Sequence, residues 1–307
     1  MLTAVIGGGL MGKSIAFVLS SLYPVAVYDV APVDLAGGVR ETTKELVAKG
    51  LLSAEELELR LSRIRPVYDP GDEAISNAGL VVEAVYEDME LKRGIFAQLE
   101  RVCRDDCIFC TNTSVMSPSE ISRGLVHRER FAGTHFWNPA HLIPLVEVVM
   151  SDATSPRTAQ TVMDILIKVG KKPVLCKKDI PGFIANRLQH ALWREAMNMV
   201  ENGVADAETI DDACKFGPGL RWPVLGPLEN SDLVGVGLTY NIHDYVLKHL
   251  ADNHEPSYLL REMLDRGDLG VKSGKGWREW TPEQVGELNS GLREHLIDRI
   301  IKDKGER

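Results

Sequence analysis

The 307-residue sequence lacks several features that mark particular classes of protein. No apolar run approaches the roughly 18 residues that a membrane-spanning helix needs. The chain enters an apolar strand at Thr3 without a leader segment, so we expect no signal peptide. Basic residues are in deficit, with 35 Lys and Arg against 44 Asp and Glu and a net charge of −9. This balance argues against partners such as nucleic acid or an anionic membrane.

Cysteine is scarce as well, with five residues in the chain. Cys103, Cys107 and Cys110 lie close together, but the fourth ligand of a structural zinc site is missing. Cys107 and Cys110 belong to the run CIFCTNTS, whose apolar character predicts a buried strand. We therefore expect unpaired core thiols rather than a disulfide or a metal site, which is typical of a cytoplasmic protein.

The first half of the chain alternates between apolar strands and amphipathic helices. Strands are predicted at LTAVIGG, PVAVYDV, GLVVEAV, CIFCTNTS, ERFAGTHFWNP and LVEVVMS. In SAEELELRLSRI, Ser53 stands where a helix cap is expected, with Glu56 three residues later. Such alternation predicts an α/β fold built on a parallel, doubly wound sheet.

The pattern changes after KKPVLCKKDIPGFIANRL. From Phe183 onward the segments are mostly helical, beginning with the long amphipathic stretch FIANRLQHALWREAMNMVENG. Proline and glycine interrupt the chain at IPG, residues 180–182, where we expect a hinge. The sequence thus predicts an α/β domain over residues 1–181 and an all-helical domain over residues 182–307.

The stretch AVIGGGLMGKS supports two phosphate-binding motifs. Gly7, Gly9 and Gly12 form the G-x-G-x-x-G turn of a dinucleotide-binding, Rossmann-type domain. Gly7 and Gly12 followed by Lys13 and Ser14 form G-x-x-x-x-G-K-S, the phosphate loop of ATPases. Both motifs place backbone N–H groups around phosphate at a helix N-terminus, so the motif alone does not separate them.

The surrounding sequence favours the dinucleotide. A strand precedes the turn, a helix follows it, and Asp29 stands 22 residues after Gly7 at the end of the next apolar strand. A carboxylate there binds both hydroxyls of an adenosine ribose, and Val30 beside it offers no charge for a 2′-phosphate, so NAD is favoured over NADP. No later strand ends in a suitable magnesium-binding Asp. A tight turn without any ligand is the structural alternative.

A second constellation lies in THFWNPAHLIPLVEVV. His135 is predicted at a strand end, and Glu147 follows twelve residues later in another strand. An imidazole can take the proton of a hydroxyl as hydride leaves its carbon, and a carboxylate on the other ring nitrogen would stabilise the imidazolium. Considered alone, this spacing also suits two unrelated residues.

The chain resembles the NAD-dependent L-3-hydroxyacyl-CoA dehydrogenases over nearly its whole length. The matching segments, in family order, are GGGLMG, VVEAVYEDMELKRGIF, TNTS, HFWNP, LVEVV, KDIPGFIANRL and KSGKGW. The resemblance implies that His135 is the catalytic base and Glu147 its orienting partner, and that Ser114 and Asn186 bind the substrate oxygen. It implies a cofactor site for NAD formed by Gly7, Gly9, Leu10, Met11, Gly12, Asp29, Glu87, Lys92, Asn138 and Lys272.

The same resemblance places Thr42 and Lys49 at positions that contact CoA. Considered without it, Lys49 and Lys92 are solvated helix charges. The family also implies a homodimer formed by the helical domains, for which the apolar stretches around Trp193, Met197 and Met199 and around Tyr240 and Tyr245 offer contact surface or internal core. A non-enzymatic crystallin of this superfamily is the alternative of another class, and an intact set of site residues speaks against it.

Three departures from the family pattern bear on the substrate. Val115 replaces a second serine, Trp137 replaces the second phenylalanine of the histidine motif, and the helical domain carries GPGLRWPVLGP with Arg221 inside it. This last stretch is more similar to relatives that act on free hydroxy acids, such as gulonate, carnitine and pyridine-carboxylate dehydrogenases. Arg221 would clamp a carboxylate or form a surface ion pair. A 3-hydroxyacyl-CoA is therefore the leading substrate, on overall similarity and Lys49, and a free 3-hydroxy carboxylic acid is the alternative.

Overall fold

Eight strands form one sheet in the computed structural model, which describes residues 1–305. The strands are β1 (Thr3–Ile6), β2 (Val25–Tyr28), β3 (Ile64–Val67), β4 (Leu80–Glu83), β5 (Ile108–Thr111), β6 (Phe131–Phe136), β7 (Leu145–Met150) and β8 (Lys172–Cys176). Their order across the sheet is β3-β2-β1-β4-β5-β6-β7-β8. Neighbours are parallel except β6 and β7, which are antiparallel. The first six strands have the Rossmann order, so the predicted fold class is confirmed.

Helices connect the strands and then continue to the C-terminal end. Those of the sheet region are α1 (Leu10–Leu19), α2 (Leu35–Ala48), α3 (Ala54–Ser62), α4 (Glu73–Ser76), α5 (Met89–Val102), α6 (Pro118–Ile121) and α7 (Pro156–Lys168). The later ones are α8 (Ala185–Glu201), α9 (Ala207–Phe216), α10 (Pro227–Val234), α11 (Val236–Val246), α12 (Tyr258–Arg266) and α13 (Pro282–Gly305). Ser53 caps α3 by accepting a hydrogen bond from the amide of Glu56, as predicted.

Apolar side chains cover both faces of the sheet. Val5 of β1 packs with Ile15 of α1 on one face, whereas Ala4, its neighbour, packs with Phe96 of α5 on the other. Successive residues of a strand point to opposite faces, and an apolar strand with both faces covered is typical of a parallel sheet between helices. This arrangement brings the carboxyl ends of β1, β2, β4 and β5 to one edge of the sheet.

The chain divides into two compact units. The first comprises Met1–Ala185 and the C-terminal stretch that begins at Glu294, and the second comprises Asn186–Arg293. The division lies four residues beyond the expected boundary at residue 181, and the end of α13 belongs to the first unit. Ile297 is buried there in a cluster with Phe17 and Val39. That packing joins residues far apart in sequence, so local pattern does not predict it.

The second unit is helical, with few of its side chains buried. None of the helices α8 to α12, all within the described residues, contributes a buried side chain. The segment DLVGVGLTYNIHDYVLKHLAD is divided between α10 and α11 at Gly235, whose φ of +103° favours glycine. Across residues 1–305, no helix is long and apolar enough to cross a membrane.

Candidate active site

The glycine turn joins β1 to α1 in a backbone path that side chains would block. Gly7 has a φ of +101°, and a Cβ atom there would lie 2.7 Å from the carbonyl oxygen of Ala84. A Cβ atom on Gly12 would lie 1.8 Å from the carbonyl oxygen of Gly7. A Cβ atom on Gly9, the N-cap of α1, would meet no atom within 4 Å, and no side chain caps that helix. The turn therefore leaves open space beside uncapped backbone N–H groups, which fits the phosphates of a dinucleotide.

Lys13 and Ser14 are engaged elsewhere. The side chain of Lys13 lies against Gly38 of α2, where an added Cβ atom would be 2.9 Å from Nζ. Ser14 is buried, and its hydroxyl lies 3.0 Å from Nδ1 of His141 and accepts a hydrogen bond from the His141 amide at 3.0 Å. A phosphate loop needs this lysine and serine for phosphate and magnesium, so the geometry does not support the ATPase alternative.

Asp29 follows β2 directly and is held against the glycine turn. Its Oδ2 accepts a hydrogen bond of 2.7 Å from the amide of Gly8, and its Oδ1 accepts one of 3.3 Å from Ala31. Val30 is 87% exposed. The carboxylate is thus fixed at the edge of the sheet beside the turn, where a dinucleotide places its adenosine ribose.

A buried ion pair lies at the end of β4. Nζ of Lys92 is 2.7 Å from Oε1 of Glu83, and both side chains are almost fully buried. Glu83 also accepts hydrogen bonds of 2.7 Å from Thr111 and from the amide of Val85. Without the family resemblance Lys92 is expected to be solvated, and this expectation is wrong. An amphipathic helix pattern cannot reveal that the lysine reaches a carboxylate on a neighbouring strand.

Glu87 extends this network toward the residues that follow β5. Nζ of Lys92 lies 3.3 Å from its Oε2, while its Oε1 accepts hydrogen bonds of 3.0 Å from the Thr113 hydroxyl and 2.6 Å from the Ser114 amide. Two predicted cofactor residues, Glu87 and Lys92, are therefore in contact, and together they fix the backbone of the predicted substrate residue Ser114. Sequence reasoning did not identify Glu83 or Thr113 as members of this network.

His135 and Glu147 form a direct pair. They lie opposite each other in the antiparallel register of β6 and β7, and Nδ1 of His135 is 2.8 Å from Oε2 of Glu147. Glu147 is fully buried, and His135 is 5% exposed. An ionised carboxylate only accepts hydrogen bonds, so Nδ1 carries the proton and Nε2 is the nitrogen able to accept another.

Two further donors hold Glu147 from the chain that precedes α8. Its Oε1 accepts hydrogen bonds of 2.8 Å and 2.9 Å from the amides of Ile184 and Ala185. The chain presents these amides because Gly182 and Phe183 both have left-handed backbone angles, with φ of +76° and +51°. A bulky residue in that region is strained by about 1–3 kcal/mol. Phe183 is nonetheless buried, with its ring 5.8 Å from that of His135.

Trp137 completes the surroundings of the pair. Its indole Nε1 donates a 3.3 Å hydrogen bond to Oε2 of Glu147, and its ring lies 5.5 Å from that of His135. Burial would raise the pKa of Glu147, but the hydrogen bonds outweigh it, that from His135 most strongly, and the pKa lies below its ordinary value. The carboxylate therefore stays ionised at neutral pH, as a partner for an imidazolium must.

The remaining predicted residues are more exposed. Leu10 and Asn138 are exposed and Met11 half-buried, and Asn138 precedes a cis peptide bond to Pro139. Thr42 is half-buried and donates to the carbonyl groups of Gly38 and Val39 of its own helix. Lys49 is exposed at the C-cap of α2. In the second unit, Asn186 is half-buried in the first turn of α8, while Arg221 and Lys272 are exposed.

Comparison with known proteins identifies the family. The model described as 3-hydroxyacyl-CoA dehydrogenase, NAD binding domain, matches residues 2–180. The model described as 3-hydroxyacyl-CoA dehydrogenase, C-terminal domain, matches residues 182–280. Together they span most of the chain.

Individual relatives of two kinds are similar over most of their length. The 5-formyl-3-hydroxy-2-methylpyridine 4-carboxylate 5-dehydrogenase of Mesorhizobium japonicum is 32% identical over 298 residues, which are 96% of this chain and 95% of the relative. The mitochondrial hydroxyacyl-coenzyme A dehydrogenase of Homo sapiens is 36% identical over 287 residues, 90% of each. A crystal structure of an FHMPC 5-dehydrogenase, described as an NAD+ dependent dismutase, matches with a TM-score of 0.88 at 31% identity and covers 98% of both chains.

Proposed function

The chain belongs to the 3-hydroxyacyl-CoA dehydrogenase family and is an NAD-dependent dehydrogenase acting on CH–OH groups, and from this premise we propose that His135 is the general base of its reaction. The observation that carries the proposal is the buried 2.8 Å contact between His135 and Glu147. Nε2 would take the hydroxyl proton of a secondary alcohol while its carbon loses a hydride. Glu147 would stabilise the imidazolium that forms. NAD, when bound, accepts the hydride.

The substrate oxygen needs hydrogen-bonding groups beside the imidazole. We assign this role to Ser114 and Asn186. Support for Ser114 comes from its amide, which Glu87 holds at 2.6 Å, so that its backbone is fixed before substrate binds. Asn186 follows directly after the Ile184 and Ala185 amides that bind Glu147, and is assigned by the family resemblance.

Residues of the first unit would hold the cofactor along the sheet edge. We assign Gly7, Gly9 and Gly12 to the pyrophosphate and Asp29 to the adenosine ribose. Leu10, Met11, Glu87, Lys92, Asn138 and Lys272 complete the assignment. The open space at Gly9 and the hydrogen bond from Gly8 to Asp29 support it.

For the substrate we propose a free hydroxy carboxylic acid, bound through its carboxylate by Arg221. The family resemblance places the CoA contacts Thr42 and Lys49 on the α2–α3 hairpin, residues 35–63, so the phosphates of a CoA ester would need basic side chains there. The basic side chains of the hairpin are Arg40, Lys44, Lys49, Arg60 and Arg63. Most are already engaged.

Arg40, Lys44 and Arg60 each pair with a glutamate of the hairpin. Arg63 donates to the carbonyl groups of Ser20 and Ser21. Among the described residues of the hairpin, Lys49 is the basic side chain left exposed with neither a carboxylate nor a carbonyl partner. The full-length similarity to a pyridine carboxylate dehydrogenase supports the same choice. A 3-hydroxyacyl-CoA is the second candidate, favoured by the exposed Lys49 and by the similarity to hydroxyacyl-CoA enzymes.

The discriminating experiment measures NADH oxidation with acetoacetyl-CoA against a panel of free keto acids, using wild type, Arg221→Ala and Lys49→Ala. For a free acid, Arg221→Ala should weaken binding by roughly 1.5–3 kcal/mol, because a charge-assisted pair is lost, and Lys49→Ala should have no effect. For a CoA ester, Lys49→Ala should weaken substrate binding and Arg221→Ala should have no effect. The loss of binding in Lys49→Ala should shrink with added salt. Activity on acetoacetyl-CoA with none on free acids would overturn the proposed substrate and leave the proposed base untouched.

We also propose that the chain forms a homodimer through the helices of the second unit, Asn186–Arg293. Exposed apolar side chains are abundant in the second unit, including Phe216, Leu228, Leu233, Tyr240 and Tyr245, each at least 70% exposed. An apolar surface of this extent is typical of a protein–protein interface.

A further inference from the structure

The indole of Trp137 is placed differently from an aromatic side chain that only packs. Oε2 of Glu147 accepts two hydrogen bonds, one from Nδ1 of His135 at 2.8 Å and one from Nε1 of Trp137 at 3.3 Å. The other oxygen, Oε1, is held by two backbone amides. His135 and Trp137 are two residues apart, so they point to the same side of the extended chain.

We propose that Trp137 is a positioning residue, which by donating to the oxygen that also accepts from His135 sets how strongly Glu147 attracts the imidazole proton. This inference rests on the proposed role of His135 as the base. A hydrogen bond from a third group disperses the negative charge of a carboxylate. Glu147 therefore stabilises the imidazolium less than it would with His135 as its sole partner at Oε2.

Removing the indole N–H should change how the charge of Glu147 is dispersed, and it should not move the carboxylate. Without it, Oε1 is still held by Ile184 and Ala185 and Oε2 by His135, so the carboxylate keeps its place. Phenylalanine preserves the aromatic ring beside His135 and removes only the donor. Trp137→Phe is therefore a matched variant, and its consequence should be electrostatic.

Other ionisable groups lie near the pair of His135 and Glu147. On β8, which lies beside β7, Cys176 is close enough for the negative charge of Glu147 to act on its thiol. Burial raises the pKa of Cys176, and the charges of Glu147 and Asp179 raise it further. The thiol therefore stays neutral near pH 7.

The test is an NMR titration of the histidine side chains in wild type and Trp137→Phe without substrate. The His135 pKa should rise by about half a unit in Trp137→Phe, while His127 and His141 titrate as in wild type. The acidic limb of the pH profile for alcohol oxidation should move up by the same amount. In a Glu147→Gln background, Trp137→Phe should cause no shift, because the carboxylate is gone.

An unchanged or lowered His135 pKa in Trp137→Phe would overturn the proposal, as would a shift of equal size in the Glu147→Gln background. If Trp137→Phe does not fold, the indole N–H resonance of Trp137 in wild type serves instead. Its chemical shift should follow His135 protonation, and its protection from hydrogen exchange should fall in Glu147→Gln; an unaltered resonance contradicts the inference. These spectra do not depend on turnover. Evidence that His135 is not the base would therefore overturn the proposed function without deciding whether Trp137 acts on Glu147.

Discussion

The two units of the chain differ in how many of their side chains are buried. In the first, the strands and most helices bury apolar side chains in clusters on both faces of the sheet, and Glu83, Lys92 and Glu147 are buried with their partners. In the second, helices α8 to α12 bury none of their side chains. Among the described residues, groups whose pKa is changed chiefly by burial, such as Cys110 and Lys171, lie in the first unit. The first unit therefore contains the groups whose charge depends on burial, and the helices of the second unit leave their side chains accessible.

The largest effect on the first unit should come from breaking its buried ion pair. Lys92→Met leaves Glu83 buried without a counter-charge and should cost about 3–5 kcal/mol of unfolding free energy. Denaturant unfolding without cofactor measures this. Lys44→Met is the matched control, because Lys44 is exposed beside Glu41, and it should change the free energy by less than about 1 kcal/mol. Equal losses in the two variants would show that burial does not make the difference.

The second unit should instead be sensitive to a charge on its surface. Tyr240→Glu on α11 should weaken homodimerisation by about 2 kcal/mol or more, because an exposed aromatic anchor becomes a charge in the interface. Sedimentation over a concentration series measures the dissociation constant. Val126→Glu, at an exposed apolar residue of the first unit, should leave it unchanged. A monomeric wild type at all concentrations contradicts the dimer and leaves the exposed surface without the proposed partner.

The preference for NADH over NADPH should depend on residues of the first unit alone. Asp29→Ser combined with Val30→Arg removes the carboxylate that repels a 2′-phosphate and adds a cation, so the NADPH to NADH preference should rise about tenfold or more. Lys272→Ala in the second unit should weaken both cofactors equally. Ratios of kcat/KM for the two cofactors provide the measurement. A wild type that already uses NADPH as well as NADH would refute the role of Asp29.

The smallest effect concerns Lys171, whose Nζ donates to the carbonyl groups of Ala140 and Ile143. Burial lowers its pKa to about 8, below the roughly 10.4 of an unfolded lysine. Between these values the unfolded chain binds more protons, so the burial penalty is full below pH 8 and is relieved as pH rises toward 10.4. Relative to Lys171→Met, wild type should gain roughly 1 kcal/mol of unfolding free energy from pH 7 to pH 9. A difference that stays flat with pH contradicts this assignment.

Sequence patterns predicted the parts of the molecule that depend on neighbours along the chain. The glycine turn, Asp29 after β2 and the Ser53 cap are local features, and each is found where the pattern indicated. His135 and Glu147 were linked by the family resemblance, since their spacing alone also fits unrelated strand ends. Their direct pairing arises from the antiparallel register of β6 and β7.

Contacts between distant segments account for what the sequence did not predict. Lys92 of α5 is buried because it pairs with Glu83 at the end of β4, and Ile297 packs into the first unit from far along the chain. Phe183 gave no local signal for its left-handed backbone. Trp137 was noticed as a departure from the family, and its position two residues after His135 could have indicated a shared face. Such contacts depend on the folded arrangement rather than on local propensity.

Transfer of the substrate hydroxyl proton to His135 is tested directly by one paired measurement. Steady-state kcat and KM and the affinity for NADH are measured on the same preparations of wild type, His135→Ala and Glu147→Gln. His135→Ala should lose about 10²–10⁴ in rate while NADH binds almost as in wild type. Glu147→Gln should lose less, mainly in kcat rather than KM, because the shape remains and the charge is gone. A His135→Ala variant with near-normal kcat would contradict the role of His135 as the general base.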